Sequence, residues 1–300
     1  MIEIKDLTKR FDGFTALQEL NMTVPQASVY GLVGPNGAGK STIIRHLTGV
    51  YYPDSGEVLV GGAPVFENPS VKAHIACIPD DLSCHAGSSI RELRQFYKGL
   101  YPNFSDARFD ALRDIFPLDV KQPLRRFSKG MQKQAAFWLA ISTQPDYLIL
   151  DEPVDGLDPV MRKQVWSVIL EDVAARETTV LVSSHNLREL EDICDHVGLL
   201  HRGGILFSRD LEDMKLGIHK LQCVFQEPVE RGDFAPLEVM SFDKRGSLFT
   251  ITARSSREEL EEKVQSMGPV FYEVLPLSLE EIFISETEVV GYDIKKLILG

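Results

Sequence analysis

Between Gly34 and Thr42 the chain reads Gly34-Pro35-Asn36-Gly37-Ala38-Gly39-Lys40-Ser41-Thr42. Spaced glycines, one lysine and two adjacent hydroxyls fit the pattern GxxxxGK[ST]. Glycines allow a backbone to fold around an anion with its N–H groups turned inward. A helix starting near Lys40 adds the positive end of its dipole. The chemistry implied is the holding of a phosphate chain. Lys40 is expected to reach the terminal phosphates, Ser41 to ligate Mg²⁺, and Thr42 to bond a further phosphate oxygen. A second constellation, "YLILDEP", ends an apolar run with the adjacent carboxylates Asp151 and Glu152. Two charges at the end of a buried strand are costly unless a cation or a task requires them. Asp151 is expected to hold Mg²⁺ through water. Glu152 is expected to face the water that attacks a γ-phosphate, as general base or orienting group.

These residues need a scaffold, and the sequence supplies one. The runs "SVYGLVG", "HIACIP", "YLILDEP", "TTVLVSS" and "HVGLLH" read as buried strands closed by turn or polar residues. Between several of them lie helical patterns, at Lys40–Thr48 and at Pro159–Ala174, the latter with Asp158 as N-cap and Pro159 at the first helical position. Asn186 followed by Glu189 has capping-box spacing before "LRELEDIC". Strands alternating with helices imply a mostly parallel sheet covered by helices, an α/β class. Residues 81–144 differ. Their stretches "SIRELRQFYKGL", "DARFDALRDIF" and "GMQKQAAFWLAIS" predict an inserted helical subdomain, its last helix apolar nearly all round and therefore buried. From about residue 217 the runs "KLQCVFQ", "GSLFTITARS" and "GPVFYEVLPL" with the acidic helix "SREELEEKVQSM" predict a separate small α+β domain, 217–300.

Composition narrows the function classes. With 300 residues, 44% of them hydrophobic, the chain can fill a large core and a smaller one. A formal net charge of −12 without a lysine/arginine block argues against a nucleic-acid binder. Cys77, Cys84, Cys194 and Cys223 form no CxxC pair, which suits free thiols in a reducing cytosol. The start "MIEIKDLTKRFDG" lacks the apolar stretch of a secretory leader. No run approaches the about 18 apolar residues of a membrane span. The expected location is the cytoplasm.

Taken together, these motifs resemble the ATP-binding subunit of ABC (ATP-binding cassette) transporters, over about residues 1 to 215, with the cassette domain bounded at 1–216. The resemblance implies a P-loop NTPase cassette with a mostly parallel core sheet, an N-terminal antiparallel β part and the helical subdomain. It implies ATP and Mg²⁺ as ligands. Phe11 in "KRFDGFTAL" stands where the family stacks an aromatic on adenine, and Phe14 could also serve. "FSKGM" occupies the position of the family signature. Ser128 and Gly130 are accordingly assigned to ATP held by the partner subunit, with Ser128 able to cap the following helix. "DGLDP" places Asp158 at the subunit interface. "SSH" makes His185 the residue that bonds the γ-phosphate and aligns water.

The chain departs from the family pattern twice. Asp80 in "CIPDD" stands where glutamine or glutamate is usual, and an ionised aspartate cannot donate as an amide does. It is expected to reach the metal or the membrane partner, through a water. Lys129 replaces a commoner glycine, either adding charge toward the partner's nucleotide or pointing to solvent. The family geometry implies a head-to-tail homo- or heterodimer of ATP-binding subunits with nucleotide between them. It also implies separate transmembrane permease subunits, placing the chain peripherally on the cytoplasmic face of the membrane. The segment around Asp80 and the helices after it are the expected coupling surface, its exposed "LSCHAGSSI" either receiving a cytoplasmic helix or forming a plain surface loop. "LPLSLEEIFISETE" resembles the closing segment of bacterial subunits that serve export or drug- and antibiotic-handling systems. The alternative, a soluble ABC-type ATPase acting on ribosomes or DNA, usually brings two cassettes or a long coiled coil, and neither is present here.

Overall fold

The computed structural model describes residues 1–82, 87–227 and 229–289. Part of the expected coupling surface, 83–86 with Cys84, lies outside them. The chain divides into two compact units, one formed by 1–185 and 193–208, the other by 186–192 and 209 onward.

The first unit opens with β1 (Ile2–Phe11) and β2 (Phe14–Val24), an antiparallel hairpin. Asp12 and Gly13 form its two-residue turn, both at positive φ (44° and 85°), the requirement of the turn that matches strand twist. Their turn pairs Phe11 directly with Phe14. The chain continues through β3 (Val29–Val33), α1 (Lys40–Leu47), β4 (Ser55–Val60), β5 (Ala63–Pro64), the short α2 (Pro69–Lys72) and β6 (Ile75–Ile78). Strands β2-β1-β4-β5 form one sheet. Its apolar alternation (Ile2, Ile4, Leu20, Met22, Val24, Val58, Val60) packs with Ile43, Ile44 and Leu47 of α1 into one core.

Next come α3 (Ile90–Leu100), α4 (Asp106–Ala111) and α5 (Lys129–Ser142). Ser89 and Glu92 cap α3 reciprocally. "DARFDALRDIF" gives α4 and then a single tighter turn at Leu112–Asp114. Six residues of α5 between Ala135 and Ile141 are buried: Ala135, Phe137, Trp138, Leu139, Ala140 and Ile141. Trp138 stacks on Phe109 at 4.5 Å and donates its indole N–H to the Phe109 carbonyl at 2.7 Å, which joins α5 to α4.

β7 (Tyr147–Asp151), α6 (Pro159–Arg176), β8 (Thr179–Ser184), α7 (Leu187–Leu190), β9 (His196–His201) and β10 (Gly204–Asp210) follow. The core sheet has the order β10-β9-β3-β8-β7-β6, and β9, β3, β8, β7 and β6 run parallel. Every residue of β3 and β8 is buried, as expected for strands covered on both faces. Asn186 caps α7 by accepting the Arg188 amide, but the helix makes one turn and stops well short of the "LRELEDIC" pattern. The reason is the sheet. Asp195 must accept the Val29 amide and donate its own to the Val29 carbonyl, so the chain is already extended there to enter β9.

The second unit contains α8 (Leu211–Gly217), β11 (Ile218–Val224), β12 (Glu238–Arg245), β13 (Leu248–Arg254), α9 (Arg257–Ser266), β14 (Phe271–Leu275) and α10 (Leu279–Val289). Its antiparallel sheet has the order β12-β13-β11-β14. Leu260 and Val264 of α9 close its core over Leu221, Cys223, Phe249 and Ile251. Among the described residues of the whole chain, no helix is long and apolar enough to cross a membrane. Cys77, Cys194 and Cys223 are free.

Candidate nucleotide site

In an open parallel sheet the loops at the carboxyl ends of the strands share one crevice. Here the register aligns them: Asp151 pairs with Ser183, Val33 with Ser184, and Ile78 with Leu150. The loop after β3, the Asp151–Glu152 pair, His185 after β8 and Asp80 after β6 therefore emerge from one end of the sheet.

The glycine loop is held by its own geometry. Gly37 and Gly39 sit at φ 82° and 117°, conformations closed to most side chains. A Cβ on Gly34 would lie 2.5 Å from the Leu200 carbonyl oxygen, so only glycine allows the loop to lie that close to the end of β9. Gly39 is the N-cap of α1 and brings no side-chain cap, leaving the first amides of the helix for a ligand. A cavity of about 250 Å³ is lined by Pro35, Asn36, Gly37, Gly39, Lys40, Ser41, Thr42, Asp80, Asp151 and Glu152, joined by Phe14 and Ala16. Ala38, within the loop, is buried and does not line the cavity.

Lys40 is 6% exposed. Its ammonium donates to the Gly34 carbonyl at 2.6 Å and lies 3.3 Å from Glu152 Oε1. The other Glu152 oxygen, Oε2, lies 3.0 Å from His185 Nδ1. A carboxylate can only accept, so Nδ1 carries the proton of that pair. Glu152 is thus held between a lysine and a histidine from two different loops. Its backbone is at φ 44°, an uncommon conformation for a residue with a side chain. Its amide is fixed by the Ser183 carbonyl and Oγ, both at 3.2 Å. Asp151 is 6% exposed and accepts the Ser183 hydroxyl at 2.5 Å on Oδ1. Ser41, Asp151 and Asp80 offer only oxygen around one cavity, the donor chemistry that a hard cation such as Mg²⁺ takes.

The aromatic expectation divides. The structure brings Phe14, 65% exposed, to the cavity wall. Phe11 instead packs on Tyr51 (5.3 Å between rings) with the Lys9 ammonium 5.4 Å from its centre. Ser128 caps α5, its Oγ accepting the Met131 amide at 3.2 Å. It is exposed and does not line the glycine-loop cavity, and neither does Gly130. Gly130 packs against the loop after β7, where an added Cβ would meet the Gly156 carbonyl oxygen at 2.5 Å. Lys129 lines a second cavity with Asp80, Lys133, Asp155 and Gly156. Asp158 caps α6 through the amides of Val160 and Met161. Three contributors lay outside the sequence reading. Ser183 was signalled only by its place in "SSH". Asp155 has an oxygen within 4.8 Å of ligand atoms of Glu152 and His185. Lys133, in the polar first half of α5, is buried to 5% exposure.

The fold and this site define a nucleotide-binding cassette. A family model described as ABC transporter matches residues 17–155. The ABC transporter ATP-binding protein YtrB of Bacillus subtilis (strain 168) is 29% identical over 286 residues, 95% of this chain and 98% of that one. The bacitracin transport ATP-binding protein BcrA of Bacillus licheniformis is 33% identical over 218 residues, 72% of this chain and 71% of that one. A solved structure of an ATP binding subunit of an ABC transporter superposes with a TM-score of 0.67 and 27% identity, covering 72% of this chain and 92% of that one. The chain belongs to the family of ABC transporter ATP-binding proteins.

Proposed function

We propose that this chain binds and hydrolyses Mg²⁺-ATP to drive a transporter of the export type that handles drugs or antibiotics. The observation that carries the reading is Glu152, whose carboxylate is held between Lys40 at 3.3 Å and His185 at 3.0 Å beside the glycine loop. Lys40 and the loop amides bind the phosphates, with Phe14 as the platform for the base. Lys40 has to exchange its Glu152 contact for phosphate oxygens as ATP enters, which frees the carboxylate for water. Glu152 then orients the attacking water and takes its proton, while His185 fixes the carboxylate's direction. Ser41, Asp151 and Asp80 are the residues to hold Mg²⁺, which when bound neutralises charge on the phosphates.

Ser128 caps an exposed helix start outside this cavity, which favours its acting on ATP bound by a second subunit. Two cassettes, identical or not, then close head to tail over two ATP molecules and reopen after hydrolysis. The cassette corresponds to 1–216, its helical part 81–144 faces separate permease subunits on the cytoplasmic side of the membrane, and 217–300 is an accessory domain. The name of BcrA, a bacitracin transport protein, supports the antibiotic class of cargo.

The test is Glu152→Gln. Phosphate release should fall by about 10²-fold or more while ATP binding persists, because the base is lost and the phosphate cradle is kept. Unchanged turnover would remove Glu152 from the mechanism.

A further inference from the structure

Lys133 is a charged side chain in the buried face of α5, 5% exposed, where an ammonium needs strong acceptors to offset its desolvation. It has one acceptor and one countercharge, from different parts of the site. Its Nζ donates to the backbone carbonyl of Glu152 and lies 3.6 Å from Asp80 Oδ1. The Glu152 amide is already fixed on Ser183. The left-handed backbone of Glu152 is therefore gripped on both sides, by β8 through the amide and by α5 through the carbonyl. A residue at φ 44° persists only where its surroundings enforce it. The aspartate that departs from the family pattern and the buried lysine are one charge pair, and the pair is seated on the residue assigned as base.

We infer that Lys133 is a positioning residue for hydrolysis: it holds the Glu152 backbone so that the carboxylate stays between Lys40 and His185, and Asp80 balances its charge. The inference rests on the reading of Glu152 as the group that acts on water. Removing the ammonium frees one side of the grip and leaves the phosphate cradle untouched. The loss therefore falls on kcat and spares KM for ATP.

The experiment uses the full chain with Lys133→Met, which keeps the stem, and Lys133→Gln, which keeps an N–H donor. Readouts are steady-state phosphate release, affinity for a fluorescent ATP analogue, and hydrogen exchange of the segment 151–157. Lys133→Met should lower kcat by about 10- to 10²-fold, as expected for misplacement of a reacting group by a fraction of an ångström to 1 Å. Its ATP affinity should stay within about twofold and the segment should exchange faster. Lys133→Gln should recover most of the rate and the protection. Wild-type kcat in Lys133→Met overturns the inference, and so does equal loss in both variants. Failure of Lys133→Met to fold leaves Lys133→Gln to decide, where a kcat loss as large as that of Glu152→Gln with normal exchange overturns it as well. If Glu152→Gln itself hydrolyses ATP normally, the reading of Glu152 fails instead, which separates the two ideas.

Discussion

Gly130→Ala tests how tightly α5 is seated on the loop that follows β7. The added Cβ would lie 2.5 Å from the Gly156 carbonyl oxygen, so one backbone must yield by about 0.9 Å to reach the 3.4 Å of ordinary contact. No flexible side chain is present to absorb the shift, because the obstructing atom belongs to the main chain. Two energies compete. Alanine is the better helix former by up to about 1 kcal/mol. Overpacking between rigid elements costs about 1–3 kcal/mol, and the packing term prevails. The displaced loop carries Asp155 and, four residues before Gly156, Glu152. A shift approaching 1 Å in such a segment can cost about 10²-fold in rate. Lys40, Ser41 and Thr42 lie in the first turn of α1 and are not pushed. The expected outcome is a lowered melting temperature, ATP affinity within about twofold of the parent, and phosphate release reduced by about 10- to 10²-fold. Phosphate release and nucleotide binding measured on the same preparation check it. Full hydrolysis with unchanged melting would refute the claim that this seam aligns the base.

Two further outcomes follow from the same geometry. Phe14→Ala should weaken ATP binding by about tenfold, the worth of one base–aromatic stack of about 1–3 kcal/mol, while Phe11→Ala, which loses a contact with Tyr51, should change affinity little; titration of both variants with a fluorescent ATP analogue decides, and the opposite order would return the adenine platform to Phe11. Burial lowers the pKa of His46 below its ordinary 6.5, its Nδ1 lying 2.8 Å from the Thr42 carbonyl. The unfolded chain then takes up a proton that the folded chain refuses, so this contribution is present above pH 6.5 and is lost as pH falls toward the lowered value. His46→Gln should flatten the fall in melting temperature between about pH 7.5 and 5.5, and an unaltered slope would place the titration elsewhere.

Much of the core architecture could be read from residue patterns, because fully buried parallel strands leave short apolar runs such as "VYGLV" in β3 and "VLV" in β8. The edge strand β12 carries no such signal. β12, "EVMSFDKR", has one buried residue, Val239, and ends in three exposed ones, so it is recognisable only beside β13. The one-turn α7 is likewise set by a partner distant in sequence, Val29, which requires Asp195 at the start of β9. Within the site, Lys40, Asp151 and Glu152 could be named because their motifs are local. The grip on Glu152 could not. It joins residues 19 and 31 positions away, and nothing in "GMQKQAAFWLA" tells which polar side chain turns inward. The Phe11–Phe14 choice had the same origin: the Asp12-Gly13 turn sets the two residues opposite each other, and the packing of Phe11 on Tyr51 distinguishes them.

ATP joining two cassettes, with hydrolysis letting them part, is the step on which transport depends. The direct measurement is sedimentation velocity of Glu152→Gln with Mg²⁺-ATP and, separately, with Mg²⁺-ADP. A dimer with ATP and a monomer with ADP is the predicted result. A monomer at saturating ATP, both for the chain alone and when bound to its permease, would contradict it.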